Sequence, residues 1–173
     1  MTATSQPLIV AGMHRSGTSL TASFLAGLGV DIGRRLLPGD RNNRHGYFED
    51  EEFLELQRRM VAACCPQESE GWPDWGFTSD GRFLEEGLVP FRDTAAGLAH
   101  GGARHGVWGW KDPRSTLLLD FWRELLPKAR FVGVFRAPWE VADSIRRVNA
   151  GPFQRRPEWA LSLIHISEPT RPY

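Results

Sequence analysis

The fold is decided by residues 7–29, PLIVAGMHRSGTSLTASFLAGLG. This stretch begins with an apolar run at 8–11 and continues through a loop at 12–19 that contains two glycines. After the loop, apolar residues recur at the spacing of a helix, at Leu20, Phe24, Leu25 and Leu28. The stretch therefore predicts a strand, a tight loop and a helix in succession, as in α/β proteins.

The loop at 12–19 is suited to binding a phosphate group. The first N–H groups of a helix have no partner within the helix, and they lie at the positive end of its dipole. Gly12 and Gly17 allow the backbone to turn sharply and to approach an anion, and Arg15 adds a positive charge. Hydroxyl groups come from Ser16, Thr18 and Ser19. An ordinary helix N-terminus without a ligand is the alternative interpretation.

The spacing of Gly12 and Gly17 matches the first part of a Walker A loop, which continues with lysine and then serine or threonine. Thr18 stands at the position of that lysine, and Ser19 follows it. The loop thus lacks the cation that reaches the terminal phosphates of ATP. A P-loop kinase or NTPase that uses ATP and Mg²⁺ is an alternative function, which this difference disfavours.

Two later apolar runs are predicted strands that end in cations. Residues 107–110 precede Lys111, Asp112 and Arg114, and residues 130–135 precede Arg136. Side chains that follow the strands of an open α/β sheet line its ligand crevice, so we expect these groups to lie there. A surface network of ion pairs that also includes Arg114 is the other interpretation of the first group.

Ser144 lies eight residues after Arg136, in a helix predicted to begin at Pro138. One side chain follows a strand and the other lies two turns into the returning helix. This spacing predicts that Arg136 and Ser144 converge on a single anion.

Glu49 is the candidate general base. It follows Tyr47 and Phe48 and precedes a helix predicted to extend to about Ala63. A carboxylate beside aromatic surface has its ionised form disfavoured, which raises its pKa towards the range of a base. A structural or helix-capping carboxylate is the alternative role for Glu49.

The segment GMHRSGTSL after an opening strand resembles the 5′-phosphosulfate loop of the sulfotransferase family. The segment FVGVFR with a serine eight residues after its arginine resembles the same family's 3′-phosphate site, and the two motifs occur in the family's order and separation. The resemblance covers roughly residues 7–148. It implies a P-loop-like three-layer α/β sandwich with a central parallel sheet. It also implies 3′-phosphoadenosine-5′-phosphosulfate (PAPS) as co-substrate, without a metal.

The resemblance assigns catalytic roles to Arg15, Glu49 and Lys111. It assigns cofactor binding to Gly12, His14, Arg15, Ser16, Gly17, Thr18, Ser19, Arg136 and Ser144. Pro113 stands where cytosolic members carry a catalytic histidine, so the base is left open between Glu49, Asp112 or none. The implied reaction moves a sulfuryl group to a hydroxyl or amine of a small-molecule or glycan acceptor. A non-catalytic nucleotide-binding module is a further alternative.

The composition limits the partners that we expect. Among 173 residues, Lys and Arg total 21 and Asp and Glu total 21, so the formal net charge is 0. This balance predicts no general affinity for nucleic acid or acidic membranes. No apolar run approaches the roughly 18–20 residues of a membrane span, and residues 1–6 lack the pattern of a signal peptide. The adjacent Cys64 and Cys65 are expected to be buried thiols in a reducing compartment, which predicts a cytoplasmic protein.

The chain is predicted to contain one domain, residues 1–160, which corresponds to the N-terminal portion of a sulfotransferase. Residues 161–173, LSLIHISEPTRPY, resemble a translated sequencing-library adapter and are expected to be a disordered, non-native tail. On that interpretation the fragment lacks the later adenosine-phosphate loop and part of the acceptor pocket, and it binds weakly or folds poorly.

Overall fold

The computed structural model describes residues 6–68, 70–78, 81–102 and 106–148. Its strands are β1 (Pro7–Ala11), β2 (Gly71–Trp72), β3 (Phe77–Thr78), β4 (Trp108–Lys111) and β5 (Arg130–Gly133). Its α-helices are α1 (Thr18–Gly27), α2 (Glu51–Ala63), α3 (Arg92–Gly102), α4 (Leu119–Leu125) and α5 (Pro138–Val148). Short 3₁₀ helices occupy Pro73–Trp75, Glu85–Phe91 and Pro113–Thr116.

A parallel three-stranded sheet in the order β4-β1-β5 forms the centre of the molecule. Ile9 is opposite Trp110 on one side and Phe131 on the other. Ile9 and Val10 are both fully buried, and because successive side chains point to opposite faces of a sheet, both faces are covered at the central strand β1. The predicted α/β class with a central parallel sheet is confirmed at this level, with helices flanking the sheet.

The contact between β1 and β4 depends on a glycine. A Cβ atom built on Gly109 would lie 1.8 Å from the carbonyl oxygen of Leu8, which belongs to the backbone of the neighbouring strand. Only glycine fits at this position without moving one of the two strands.

The main core lies between α2, β4 and α4. The ring of Phe53 stacks on that of Trp110 with centroids 4.2 Å apart, and Trp122 meets Trp110 edge to face at 4.8 Å. Gln57 is buried among these rings, and its Oε1 accepts hydrogen bonds from Ser115 Oγ and Trp122 Nε1. Burial of these aromatic side chains provides much of the hydrophobic stabilisation of the fold.

Helix α1 is where the sequence predicted it, but its largest apolar residues face outward. Leu20, Phe24 and Leu28 are 61, 65 and 82% exposed. The buried residues of α1 are instead Thr18 and Ala22. Helical spacing of apolar residues thus located the helix correctly and did not identify its buried face.

Single residues determine the form of two helical segments. Residues Glu85–Phe91 form a 3₁₀ helix that is followed directly by α3, and Pro90 lies inside the 3₁₀ part. Proline lacks the N–H that an α-helix would use there. Ser115 and Thr116 do not cap α4, whose N-cap is Leu118 without a side-chain hydrogen bond. Ser115 Oγ is used by Gln57 instead.

The tryptophan-containing segment at 70–78 packs against α5. Strands β2 and β3 form a small antiparallel pair, and the buried Phe77 packs with Val141 and Ile145 of α5. Gly76, at the end of the Pro73–Trp75 helix, has φ 70° and would place a Cβ 2.4 Å from Leu117.

Cys64 and Cys65 are both buried, as predicted. Burial, with the charge of Cys65 next to it, raises the pKa of the Cys64 thiol to about 12.

Among the described residues, none of the helices has both the length and the apolar character needed to cross a membrane. The predicted tail at 161–173 lies outside the described residues.

Candidate functional site

A cleft of about 520 Å³ lies at the carboxyl ends of the parallel strands. The loop after β1, the end of β4 and the residue Arg136 after β5 all contribute to it. The predicted site residues that line it are His14, Arg15, Gly17, Ser19, Glu49, Lys111 and Arg136. Gly12, Ser16, Thr18 and Ser144 are buried beside it.

The loop owes its shape to unusual backbone conformations. Arg15 has φ 68° and Gly17 has φ 102°, both in the left-handed region. A Cβ atom on Gly12 would lie 2.4 Å from the carbonyl oxygen of Val134, so β1 and the segment after β5 approach closely here. Residues forced into such conformations are concentrated at functional sites.

The three loop hydroxyls serve different purposes. Ser16 Oγ donates to the carbonyl of Met13 at 2.5 Å and closes the turn of the loop. Thr18 is 3% exposed and lies inside the fold. Ser19 Oγ lies in the cleft, where it donates to the carbonyl of Tyr47 at 3.1 Å. Of the three loop hydroxyl groups, that of Ser19 is therefore the one that lines the cleft.

Lys111 is buried at the centre of the site, with 2% of its surface exposed. Its Nζ donates to Glu49 Oε1 at 2.5 Å, to the carbonyl of Tyr47 at 3.2 Å and to Ser19 Oγ at 3.3 Å. An ammonium group has three hydrogens, and each has an acceptor here. Lys111 thus connects the end of β4 to the loop at 12–19 and to the segment before α2.

Glu49 is held by this ion pair, and its side chain is 8% exposed. The backbone positions it: Phe48 has φ 56°, and the carbonyl of Glu49 accepts a hydrogen bond from Leu37 N at 2.7 Å. The next residue, Asp50, caps α2 by accepting from Glu52 N and Phe53 N. Sequence reasoning placed Glu49 against aromatic rings, whereas its main partner is a cation.

The carboxyl group whose pKa is raised by burial is that of Asp112. Desolvation raises the pKa of Asp112 to about 6, and the charge of Glu49 adds to the effect, while Arg114 and Lys111 oppose it. Asp112 Oδ1 accepts from Arg114 N at 2.8 Å and from Arg114 Nη1 at 3.1 Å. Its Oδ2 is enclosed and has no hydrogen-bond partner among the described residues.

His14 stacks face to face on Trp75, with ring centroids 3.9 Å apart and planes inclined by 3°. Burial and the charges of Arg114, Lys111 and Arg15 lower the pKa of His14 well below its usual value. The imidazole is therefore neutral at pH 7, and it contributes hydrogen-bonding capacity without positive charge.

Arg15 lies with the two residues predicted to bind a second anion. Its Nε donates to Ser144 Oγ at 3.1 Å. Arg136 Nη1 donates to the backbone carbonyl of Arg15 at 3.2 Å, and Arg136 Nε donates to Glu140 Oε2 at 3.1 Å. The structure therefore brings Arg15, Arg136 and Ser144 together at one end of the cleft.

Several cleft residues were not predicted. They are Leu37, Asn42, Asn43, Tyr47, Leu54, Arg58, Asp74, Trp75 and Pro113, whereas Arg114 lines the cleft as predicted. Arg58 pairs with Asp74 at 3.4 Å, and Arg114 Nε donates to the carbonyl of Asp74 at 2.6 Å. The sequence signals for the residues that were missed were the tryptophans at 72 and 75.

The basic cluster Arg34, Arg35, Arg41 and Arg44 does not line the cleft. Arg34 Nη2 donates to the carbonyl of Gly101, and Arg35 pairs with Glu51.

The cleft concentrates positive charge. Five cationic side chains line it, Arg15, Arg58, Lys111, Arg114 and Arg136, against the two carboxylates Glu49 and Asp74. The chain as a whole has a formal net charge of 0, so the excess is local. Within the part of the chain that the structure describes, no three His, Cys, Asp or Glu side chains are grouped so that they could hold a metal ion. The arrangement is suited to an anionic ligand.

No family model matches this chain, and a search of the curated proteins finds no match to it.

Proposed function

We propose that this chain is the cofactor-binding part of a PAPS-dependent sulfotransferase with a P-loop-like three-layer fold. It moves a sulfuryl group to a hydroxyl or amine of a small-molecule or glycan acceptor, in the cytoplasm. The observation that supports this most is the convergence of the loop at 12–19, Lys111 and Arg136 in one positively charged cleft.

The donors in the cleft fit the two ends of such a co-substrate. The loop N–H groups, Ser19 and Lys111 would hold the 5′-phosphosulfate, which supplies the activated sulfuryl group. Arg136 and Ser144 would hold the 3′-phosphate. Fixed cations and N–H donors stabilise charge that develops during group transfer, and they do so best in a site that excludes water.

Lys111 and Glu49 would act as a pair in the transfer. As the acceptor oxygen or nitrogen bonds to sulfur, the bond from sulfur to the 5′-phosphate oxygen breaks and its electrons stay on that oxygen. Lys111 Nζ would stabilise the charge on the leaving oxygen, and Glu49 would take the proton of the acceptor. Glu49 is favoured over Asp112 because Glu49 lines the cleft, whereas Asp112 is completely buried.

Isothermal titration with adenosine 3′,5′-bisphosphate, and separately with ATP and Mg²⁺, tests the proposal. We expect binding of the bisphosphate without metal, abolished by Arg136→Ala. Arg123→Ala is the matched control, because Arg123 is an exposed arginine of α4 that pairs with Asp120 outside the cleft. Binding of ATP with Mg²⁺ alone would support a kinase or NTPase, and absence of bisphosphate binding to the folded chain would contradict the proposal.

A further inference from the structure

Arg114 is a buried arginine of the cleft whose guanidinium is only partly used by the fold. It lines the cleft, although only 6% of the residue is exposed. Its Nε donates to the carbonyl oxygen of Asp74 at 2.6 Å, and its Nη1 donates to Asp112 Oδ1 at 3.1 Å. The third nitrogen, Nη2, has no hydrogen-bond partner among the described residues and is not enclosed by them. The protein thus fixes this guanidinium through two nitrogens and leaves two N–H donors on the third.

The two free donors place a demand on any ligand that fills this part of the cleft. Such a ligand would exclude the water that now reaches Nη2, and a donor left without a partner on a buried charged group is costly. Adjacent N–H groups of arginine lie in one plane and match the oxygens of a carboxylate or a similar oxyanion. An anionic group on the ligand would satisfy the donors of Arg114 and add charge complementarity.

A second cation, Arg58, lies in the same part of the cleft. Asp74 connects the two arginines, because its carbonyl oxygen accepts from Arg114 and its Oδ2 lies 3.4 Å from Arg58 Nη2. The other carboxylate near Arg58, that of Glu55, is 3.8 Å from Nη1. Both distances exceed the roughly 2.7–2.9 Å of a charge-assisted hydrogen bond. The half-exposed Arg58 side chain can therefore turn towards a ligand without losing a strong contact.

We propose, on the basis of the proposed function, that the acceptor is itself an anion, a sugar or small molecule with a carboxylate or sulfate group near the hydroxyl or amine that is sulfated. Arg114 and Arg58 bind that anionic group, and the carboxylate of Asp74 accepts a hydrogen bond from a neighbouring acceptor hydroxyl. Both arginines lie outside the set of groups that hold the co-substrate. Arg114 follows Lys111 by three residues, so the anionic group is bound beside the reacting centre.

Three methyl glucosides test this proposal, because they differ only at the exocyclic carbon, which carries a hydroxyl, a sulfate ester or, as a carboxylate, forms the glucuronoside. Each is titrated calorimetrically into the chain saturated with adenosine 3′,5′-bisphosphate. We expect an anionic sugar to bind about 10- to 100-fold more tightly than the neutral one, the range for hydrogen bonds to a charged group. A preference for the carboxylate or for the sulfate ester identifies which anion the acceptor carries.

Two variants connect this preference to the arginines. Arg114→Gln is combined with Asp112→Asn, because removal of the arginine alone would leave a buried carboxylate unpaired. The double variant keeps the net charge of the chain, so we expect it to lose the preference for the anionic sugars while its affinity for the bisphosphate is unchanged. Arg58→Gln should reduce the preference about 2- to 5-fold, the range of an exposed ion pair. Because Arg58 is half-exposed, this variant decides the matter if the double variant does not fold.

Arg92→Gln is the matched control for loss of an arginine. The Arg92 side chain is 47% exposed, against 45% for Arg58, and it pairs with Glu124 outside the cleft. We expect this variant to retain the full preference. Equal affinities of the unmodified chain for the three sugars would overturn the proposal, as would a loss in Arg92→Gln as large as that in Arg58→Gln.

The same titrations separate this proposal from the proposed function. A chain that binds the bisphosphate but none of the three sugars would overturn the anionic acceptor and leave the co-substrate site standing. A folded chain that does not bind the bisphosphate would contradict the proposed function, and the anionic acceptor would fall with it.

Discussion

At the scale of single residues, the buried carboxyl group of Asp112 is one of the groups that make the stability of this fold depend on pH. It is fully buried next to Arg114, and one of its carboxylate oxygens has no partner among the described residues. Burial raises its pKa from 3.8 to about 6. The ionised form is therefore less favourable in the folded chain than in the unfolded chain.

The sign of the pH dependence follows from that shift. Between pH 3.8 and about 6 the folded chain binds more protons at Asp112 than the unfolded chain. The contribution of Asp112 to the free energy of unfolding therefore falls as pH rises through this window, by up to about 1.4 kcal/mol per pH unit. We expect urea denaturation at pH 4 to 7 to show this fall relative to Asp112→Asn.

Asp93→Asn is the control, because Asp93 is an exposed carboxylate in the first turn of α3. Its free energy of unfolding should follow that of the unmodified chain across the same pH range. Parallel curves for the unmodified chain and Asp112→Asn would show that Asp112 does not carry the raised pKa.

Also at this scale, Glu49 and Lys111 form a buried ion pair whose members depend on each other. Removal of one partner leaves the other charge buried and unpaired, which costs about 3–5 kcal/mol. We expect Lys111→Met alone to destabilise by this amount, and Lys111→Met with Glu49→Gln to recover a large part of it. A double-mutant cycle of urea denaturation measures the coupling. Strictly additive losses would contradict the direct contact seen at 2.5 Å.

At the scale of elements, the two glycines Gly109 and Gly27 give opposite predictions for the same substitution. Gly109→Ala would place a Cβ 1.8 Å from the Leu8 carbonyl oxygen, between two strands that cannot separate easily. We expect it to destabilise by more than the ~1–3 kcal/mol usual for overpacking. Gly27→Ala meets no atom within 4 Å at the end of α1 and should stabilise by about 0.5–1 kcal/mol.

Chemical denaturation followed by circular dichroism measures both variants. Each glycine is the control for the other, because the chemical change is identical and only the surroundings differ. A Gly109→Ala chain as stable as Gly27→Ala would mean that β1 and β4 can move apart at no cost.

How far the sequence predicts these elements depends on how local their causes are. The strand, loop and helix at 7–29 depend on residues close in sequence, and the structure has them where the pattern placed them. The outward direction of Phe24 depends on which other elements pack against α1, and helical spacing carries no information on that. Pro90 likewise indicates from the sequence alone that a regular α-helix cannot form around it. That the segment forms a 3₁₀ helix instead depends on its packing, which the sequence pattern does not predict.

The candidate site likewise contains residues that the sequence predicts and contacts that it does not. Lys111 and Arg136 could be predicted because each directly follows an apolar run, and parallel strands end on one edge of a sheet. The stacking of His14 on Trp75 could not, because it joins residues from separate segments whose approach requires the folded chain. The contact between Arg15 and Ser144 spans 129 residues and is invisible to any local pattern.

At the scale of the whole molecule, charge is separated although the net charge is 0. Five cations face two carboxylates in the cleft, so the remainder of the chain carries a compensating negative excess. A ligand far from the protein experiences almost no electrostatic attraction, because the net charge is 0. A ligand at the cleft experiences the positive potential of the cleft cations. Attraction of an anion is therefore confined to short distances. At 0.1 M salt these distances are limited by the Debye length, which is about 10 Å.

We accordingly expect the affinity for adenosine 3′,5′-bisphosphate to fall as NaCl rises from 0.05 to 0.5 M, whereas uncharged adenosine should bind with an affinity that salt leaves unchanged. Isothermal titration at several salt concentrations measures both, at constant pH and with EDTA present to exclude a bridging metal. The exposed rim cations such as Arg136 are screened most, while the buried Lys111 is screened least, so part of the affinity should persist at high salt. A bisphosphate affinity that is independent of salt would mean that the cations of the cleft do not contribute to binding. The adenosine group would then have to provide the affinity.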